Sequence, residues 1–427
     1  MVEEEHQRQT TNPPESSDWL ELALRRTISR RQLLKLAPLA VFGFMGVDLV
    51  LEKIAGAYIE QQKDWETAAL SNDEFLITNR NLMITASFSP EQLDSFGQSI
   101  KHEDALRFAE KELGITDFRL GIRWNRVVDD NSQINLEYYK PTLDYCLDGK
   151  KNVTLNAGLL KVFRWPEIHI PDFVLDNLNP KPPQGTQIES GTDLANKARE
   201  HTQRFYDSLG HSYSAEELSH IVTIQADNEA REAFGDERWT IHPLLVKEGI
   251  DLALQYFPNA NILVNCGNIL NQREVTRLLE DIKQNGKVKG KVISGVDYYP
   301  RNSYLPAEGM PDSIGLAKAM AIFNLNPLEI NRQSKVDEVE LTEGQLEPWT
   351  NNPKLGEEAL TRPGNSVREA RYMLLRANKN ILRTGQPSRA GVWGIERLVY
   401  LALTGQMTNE HKQIIDLIQK INFQQAA

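Results

Sequence analysis

From Asn81 onward, short runs rich in β-branched and apolar residues alternate with longer stretches whose apolar positions recur at helical spacing. The runs are Leu82 to Ala86, Asp117 to Ile122, Asn152 to Asn156, Ile221 to Ala226, Asn261 to Asn265, Lys291 to Val296, Glu338 to Thr342 and Ala390 to Trp393. Between and after them lie stretches such as Ala105, Phe108, Ala109, then Ala370, Met373, Leu374, Ala377, Ile381, and finally Ile414, Leu417, Ile418, Ile421, each spaced to line one helix face. This alternation predicts repeated βα units on a parallel sheet. Eight of them favour a closed (β/α)₈ TIM barrel, an α/β fold, over a doubly wound sheet, and neither GxGxxG nor GxxxxGK[ST] follows a run. Residues 58 to 80 read as a connector, residues 81 to 427 as the barrel domain, and Asn177 to Asp193 as a long polar excursion after the third strand.

The pattern before residue 58 is different. An acidic, polar stretch containing Pro13-Pro14 gives way to Arg25-Arg26 and Ser29-Arg30-Arg31-Gln32-Leu33-Leu34-Lys35, followed by the apolar run Leu36 to Val47. A charged region ahead of an apolar one is the order of a targeting segment. Residues 29 to 35 resemble the twin-arginine export motif, which implies a protein exported or anchored facing outside the cytoplasm. The apolar run is shorter than the roughly 20 residues a spanning helix needs. Residues 1 to 57 are therefore read as a targeting or membrane-anchor extension; membrane association through residues 25 to 57, an amphipathic surface helix and a cytoplasmic location all stay open.

Composition narrows the chemistry. The 427 residues carry a formal net charge of −11 and a pI near 5.4, so the surface repels phosphate backbones and nucleic acid is not an expected partner. Cys146 and Cys266 are the only cysteines, read as buried thiols rather than a bridge. Eight histidines show no metal-ligand spacing, so neither a metal nor another cofactor is expected.

Barrel enzymes carry their reacting groups at the C-terminal ends of the strands. There the fourth run ends in Asp227-Asn228-Glu229 and the seventh in Leu341-Thr342-Glu343-Gly344. Two carboxyl groups about 5 to 5.5 Å apart across a barrel mouth are what cleavage of a glycosidic bond with retention requires. Glu229 and Glu343 are the expected catalytic pair. Glu340, inside the strand, and Glu347, four residues beyond Glu343, are the rival nucleophiles.

These residues resemble the retaining barrel glycosidases of clan A, with partial similarity to the family 1 β-glycosidases. Residues 118 to 127, FRLGIRWNRV, are similar to that family's YRFSISWSRI, which implies that Arg119 holds the nucleophile and keeps it ionised. Asn228-Glu229 matches the Asn-Glu of TLNEP, implying that Asn228 holds a sugar hydroxyl, and Thr342-Glu343 matches the Thr-Glu of ITENG. Val296-Asp297-Tyr298-Tyr299 resembles INYY, placing Tyr298 and Tyr299 in the site, with the Tyr299 hydroxyl on the nucleophile. Trp393-Gly394-Ile395-Glu396 stands where the superfamily puts an aromatic platform, so Trp393 and Glu396 join the expected substrate contacts. The third strand lacks the family's His-Trp-Asp and offers Lys161, Arg164, Trp165, Pro166, Glu167 and His169; Ala230 replaces the proline after the acid. The expected function is retaining glycoside hydrolysis of a carbohydrate substrate. The alternative is a carbohydrate-binding barrel without catalysis, which has no need of a nucleophile with a paired arginine.

Overall fold

A computed structural model of the chain describes residues 82–97, 100–129, 133–163, 169–233, 237–267, 272–298, 336–345 and 388–424. Residues 1–57, expected to be a targeting or anchor segment, residues 58–80, expected to be a connector, the stretch Ala370 to Ile381, Arg164 to Glu167, Glu347, Pro348-Trp349 and Tyr299 fall outside them.

Eight parallel strands form the core: β1 Leu82–Phe88, β2 Asp117–Gly121, β3 Asn152–Asn156, β4 Ile221–Gln225, β5 Asn261–Cys266, β6 Val292–Tyr298, β7 Glu338–Gln345 and β8 Ser388–Trp393. Each pairs with its sequence neighbours, and β1 pairs with β8 from Leu82↔Ser388 to Ala86↔Val392, which closes the barrel. The strand composition explains the arrangement. Leu120, Val153, Leu155, Ile224, Ile262, Leu263, Val264, Ile293 and Val296 are all buried, and such near-continuous apolar runs suit strands covered on both faces.

The helices supply the outer cover. His102–Leu113 buries Ala105, Leu106, Ala109 and Leu113 and stops at Gly114, whose φ of 65° makes the left-handed cap that a glycine adopts without a Cβ clash. The last helix, Asn409–Gln424, buries Ile414, Leu417, Ile418 and Ile421 as its spacing requires. It is also latched by Asn422, whose Oδ1 accepts the Ile84 N–H at 3.0 Å and whose Nδ2 donates to the Leu113 carbonyl at 2.9 Å.

The excursion after β3 is an ordered wall. Gln187–Ile188 pairs in parallel with Thr240–Ile241 from the segment after β4. Trp239, fully buried, donates its indole N–H to the Pro183 carbonyl at 2.9 Å. Two long connections at the same end of the barrel are thereby tied to each other. Among the described residues no helix is long and apolar enough to cross a membrane. Cys146 and Cys266 are both free and buried.

Candidate active site

The end of β4 is held in an unusual backbone conformation. Glu229 has a φ of +44°, a region that costs a non-glycine residue of order 1–3 kcal/mol and persists only where the surroundings impose it. Here both sides of the residue are clamped. Its N–H donates to Asn265 Oδ1 at 2.8 Å; its carbonyl accepts the Glu232 N–H at 2.8 Å and Lys161 Nζ at 3.0 Å. Lys161 is wholly buried and also donates to the Glu232 carbonyl at 2.8 Å. Asp227 accepts the backbone N–H groups of Leu160 and Lys161 at 2.9 and 2.8 Å. Gly158 allows the same close approach of β3 to β4, since a Cβ there would lie 2.0 Å from the Ala226 carbonyl oxygen.

The end of β7 is re-aimed by an extra residue. Leu341 stands opposite Val296 on β6, but Glu343, two residues on, stands opposite Asp297, the very next residue. The same slip occurs on the other side, where Ala390 faces Leu341 and Val392 faces Gly344. An unpaired residue of this kind bends a strand and redirects the side chains that follow it. Past the slip, Glu343 is buried and meets Arg119: Nη1 donates to Oε1 at 2.7 Å.

Arg119 is the hub. Besides Glu343 it donates through Nη1 to Ser87 Oγ at 3.1 Å, through Nε to Gln225 Oε1 at 2.7 Å and through Nη2 to Asn228 Oδ1 at 2.7 Å. Four acceptors from three other strand ends therefore fix one planar guanidinium, a task its forked donors suit and a lysine's do not. Its flat face lies over the Phe163 ring, 4.6 Å from the centroid. Phe163 in turn meets Trp393 edge-on at 5.3 Å. Asn228 Oδ1 also accepts from Gln225 Nε2 at 3.2 Å and Asn265 Nδ2 at 2.8 Å.

Asp297 completes the cluster from the end of β6. Thr342 Oγ1 donates to its Oδ1, Asn265 Nδ2 donates to its Oδ2 at 2.7 Å, and the Glu229 carboxyl hydrogen-bonds to it. Burial and then the charge of Glu343 push its carboxyl up to about 8. Three acidic side chains thus belong to one network, in which Glu343 is the one paired directly with the Arg119 guanidinium.

Of the residues expected from sequence, Arg119, Asn228, Glu229 and Glu343 share this network, and Trp393 borders it through Phe163. Tyr298 ends β6, its side chain outside the described set. Glu396 is fastened elsewhere: wholly buried at the start of the helix Ile395–Leu403, it accepts the Ser89 backbone N–H and ties that helix to the end of β1. Glu340 lies within β7, where burial raises its carboxyl to about 7 against the lowering charge of Arg389. A carboxyl that keeps its proton near neutrality is poorly suited to attack carbon. Sequence reasoning missed Ser87, Phe163, Gln225, Asn265 and the role of Asp297. Gln225, Asn265 and Asp297 did carry a signal, a polar residue closing an apolar run.

No protein-family model and no curated protein matches this chain. Solved structures similar to it include an intracellular xylanase from Thermoanaerobacterium saccharolyticum in complex with xylotriose, 16% identical over 74% of this chain and 86% of that one, with a TM-score of 0.40. A family 10 endoxylanase retrieved from a sugarcane soil metagenome is 15% identical over 74% and 86% of the two chains, with a TM-score of 0.45. A xylanase from Paenibacillus barcinonensis, complexed with a conduramine derivative, is 13% identical over 74% and 84%, with a TM-score of 0.44.

Proposed function

We propose that this chain is a retaining glycoside hydrolase in which Glu343 is the nucleophile and Glu229 the general acid/base. The observation that carries the reading is the buried ion pair between Arg119 and Glu343, joined through Asn228 and Asn265 to the clamped backbone of Glu229. A sugar-binding barrel gains nothing from burying a carboxylate against an arginine, whereas a nucleophile needs a counter-charge that leaves it ionised.

In this mechanism a Glu343 oxygen attacks the anomeric carbon while the bond to the leaving oxygen breaks, and Glu229 gives that oxygen its proton. The product of this step is a glycosyl ester on Glu343. Glu229, now a carboxylate, takes a proton from water; the water oxygen attacks the anomeric carbon, and Glu343 leaves as a carboxylate. Asn228 and Tyr298 are assigned to hold sugar hydroxyls, the Tyr299 hydroxyl to bond the nucleophile, and Trp393 to face the apolar side of a pyranose ring.

An activated 2-deoxy-2-fluoro β-glycoside tests the reading, in xylo and gluco series, because it forms the ester and hydrolyses it slowly. Mass mapping is expected to find the label on Glu343. A label on Glu340 or Glu347, or turnover with inversion, would overturn the assignment. Export is inferred from residues 29 to 35 alone: Arg30→Lys with Arg31→Lys should retain the protein in the cytoplasm, and an unaltered protein already found there would refute it.

A further inference from the structure

A third carboxyl group stands in the site, and the two-glutamate mechanism gives it nothing to do. We propose that Asp297 is a positioning residue for Glu229: it holds the Glu229 carboxyl at the proton-delivering place and lets the two side chains keep a proton between them while Glu343 is ionised. The inference rests on Glu229 being the acid/base.

Geometry is the main support. Asn265 bridges the two residues, accepting the Glu229 backbone N–H at 2.8 Å and donating to Asp297 Oδ2 at 2.7 Å. The carboxyl of Glu229 is hydrogen-bonded to Asp297 on one side and borders Gly267 on the other, where a Cβ would lie 2.1 Å from Glu229 Oε1 and 3.8 Å from Asp297 Cβ. Asp297 cannot swing away, because Thr342 Oγ1 donates to its second oxygen and its side chain is buried.

Charge supplies the rest. The groups facing Asp297 are Glu229 from the end of β4, Asn265 from β5, Thr342 and Glu343 from β7, and Arg119 from β2. Arg119 alone cannot balance three buried anions, and the second buried cation, Lys161, is directed to the backbone carbonyls of Glu229 and Glu232. The site therefore retains a proton, and two carboxyls in direct contact titrate as a pair rather than singly. The proton that goes to the leaving oxygen comes from Glu229; Asp297 changes how tightly the pair holds it and where the carboxyl points.

Asp297→Asn tests this. Asparagine keeps the size and an acceptor for Thr342 but can neither share a proton nor bear charge. The alkaline limb of kcat/KM on a 4-nitrophenyl β-glycoside is expected to fall by about one pH unit. The loss in kcat should be at least about tenfold on alkyl glycosides, which need the proton, and smaller on 2,4-dinitrophenyl glycosides. Thr342→Val should act with opposite sign: it removes a donor that favours the Asp297 anion, so the limb should rise. Opposed shifts cannot come from general loosening, and the second variant serves if the first does not fold. Independently of turnover, the Glu229 resonance in protein labelled with ¹³C at the glutamate carboxyl, assigned with Glu229→Gln, is expected to titrate lower in Asp297→Asn. An unmoved limb and an unmoved resonance would reduce Asp297 to a structural role and overturn the inference with the hydrolase reading intact. If the unaltered chain hydrolyses no glycoside of the panel, the hydrolase reading falls, and the carboxyl titration alone decides for or against the Asp297 pair.

Discussion

Arg119 Nη1 donates to Glu343 Oε1 over 2.7 Å, with both side chains almost out of reach of water, at 6% and 3% exposure. At that depth the pair is not a surface salt bridge, and losing one partner leaves an uncompensated buried charge. Arg119→Met should destabilise the chain by about 3–5 kcal/mol for that reason, read from urea unfolding. It should also lower kcat/KM by about 10³-fold or more, since about 4 kcal/mol of lost transition-state stabilisation corresponds to that factor. Arg119→Lys should recover part of the stability and little of the rate, because a point cation cannot serve Ser87, Gln225, Asn228 and Glu343 together.

The division of labour between the glutamates has a stereochemical signature. Glu229→Ala should lose activity on poor leaving groups yet turn over an activated aryl glycoside when azide is supplied, giving a glycosyl azide of retained configuration. Glu343→Ala should be inactive on natural substrates, and azide should rescue it only with inversion. Proton NMR of the azide products distinguishes the two. Inversion in the Glu229 variant would mean that the roles are exchanged.

Buried carboxyls give the fold an uncommon pH dependence. Burial raises Asp227 to about 6, Glu340 to about 7 and Asp297 to about 8. A carboxyl raised on folding binds its proton more tightly in the native than in the unfolded chain, so its contribution is complete below the unfolded value near 4 and is lost as pH rises through the folded one. His201, lowered to about 3 chiefly by burial, acts the opposite way, but only below about 6.5. Glu110 and Asp337, both lowered, change stability only in more acidic solution. Between pH 6.5 and 8.5 the thermal midpoint should therefore fall as pH rises. Calorimetry of Asp297→Asn should give a flatter line over the upper part of that window, where Asp297 is the group still titrating.

The barrel was legible because strand and helix periods differ, and each of the eight apolar runs overlaps a strand. Glu229 and Glu343 were legible from their places near the C-terminal ends of strands, and Arg119 and Asn228 through the resemblance of their motifs to those of the family 1 β-glycosidases. What hid was whatever depends on two strands at once. The slip that seats Glu343 opposite Asp297 is a register property of β6 against β7, and no local pattern encodes it. Lys161 looks like an ordinary loop lysine, yet it is buried because two backbone carbonyls that only the fold brings together need a donor. Glu396 comes three residues after the end of β8, within reach of the barrel mouth by sequence, and its bond to Ser89, 307 residues away in sequence, is equally invisible.

Gly267 offers a way to disturb Glu229, the proposed acid/base, without replacing it. A Cβ at that position would lie 2.1 Å from Glu229 Oε1 and no closer than 3.3 Å to the next atom, the carboxyl carbon of the same side chain. The clash is with the carboxyl end of one side chain rather than with backbone, so the displacement falls on that carboxyl and on its hydrogen bond to Asp297. Gly267→Ala should leave stability within about 0.5 kcal/mol of the unaltered chain, as an exposed substitution does. It should nonetheless cost about 10²-fold in kcat, the scale of effect expected when a reacting group is displaced by about 1 Å. Activated aryl glycosides, which need no proton, should be spared most of that loss. Gly158→Ala is the contrast, since its Cβ would meet the Ala226 carbonyl oxygen at 2.0 Å and the Asp227 Cα at 2.6 Å, both backbone. There the ends of β3 and β4 must part, and urea unfolding should register a large loss of stability together with the loss of rate. Equal destabilisation by the two variants would mean that Glu229 is not held in a slot beside Gly267.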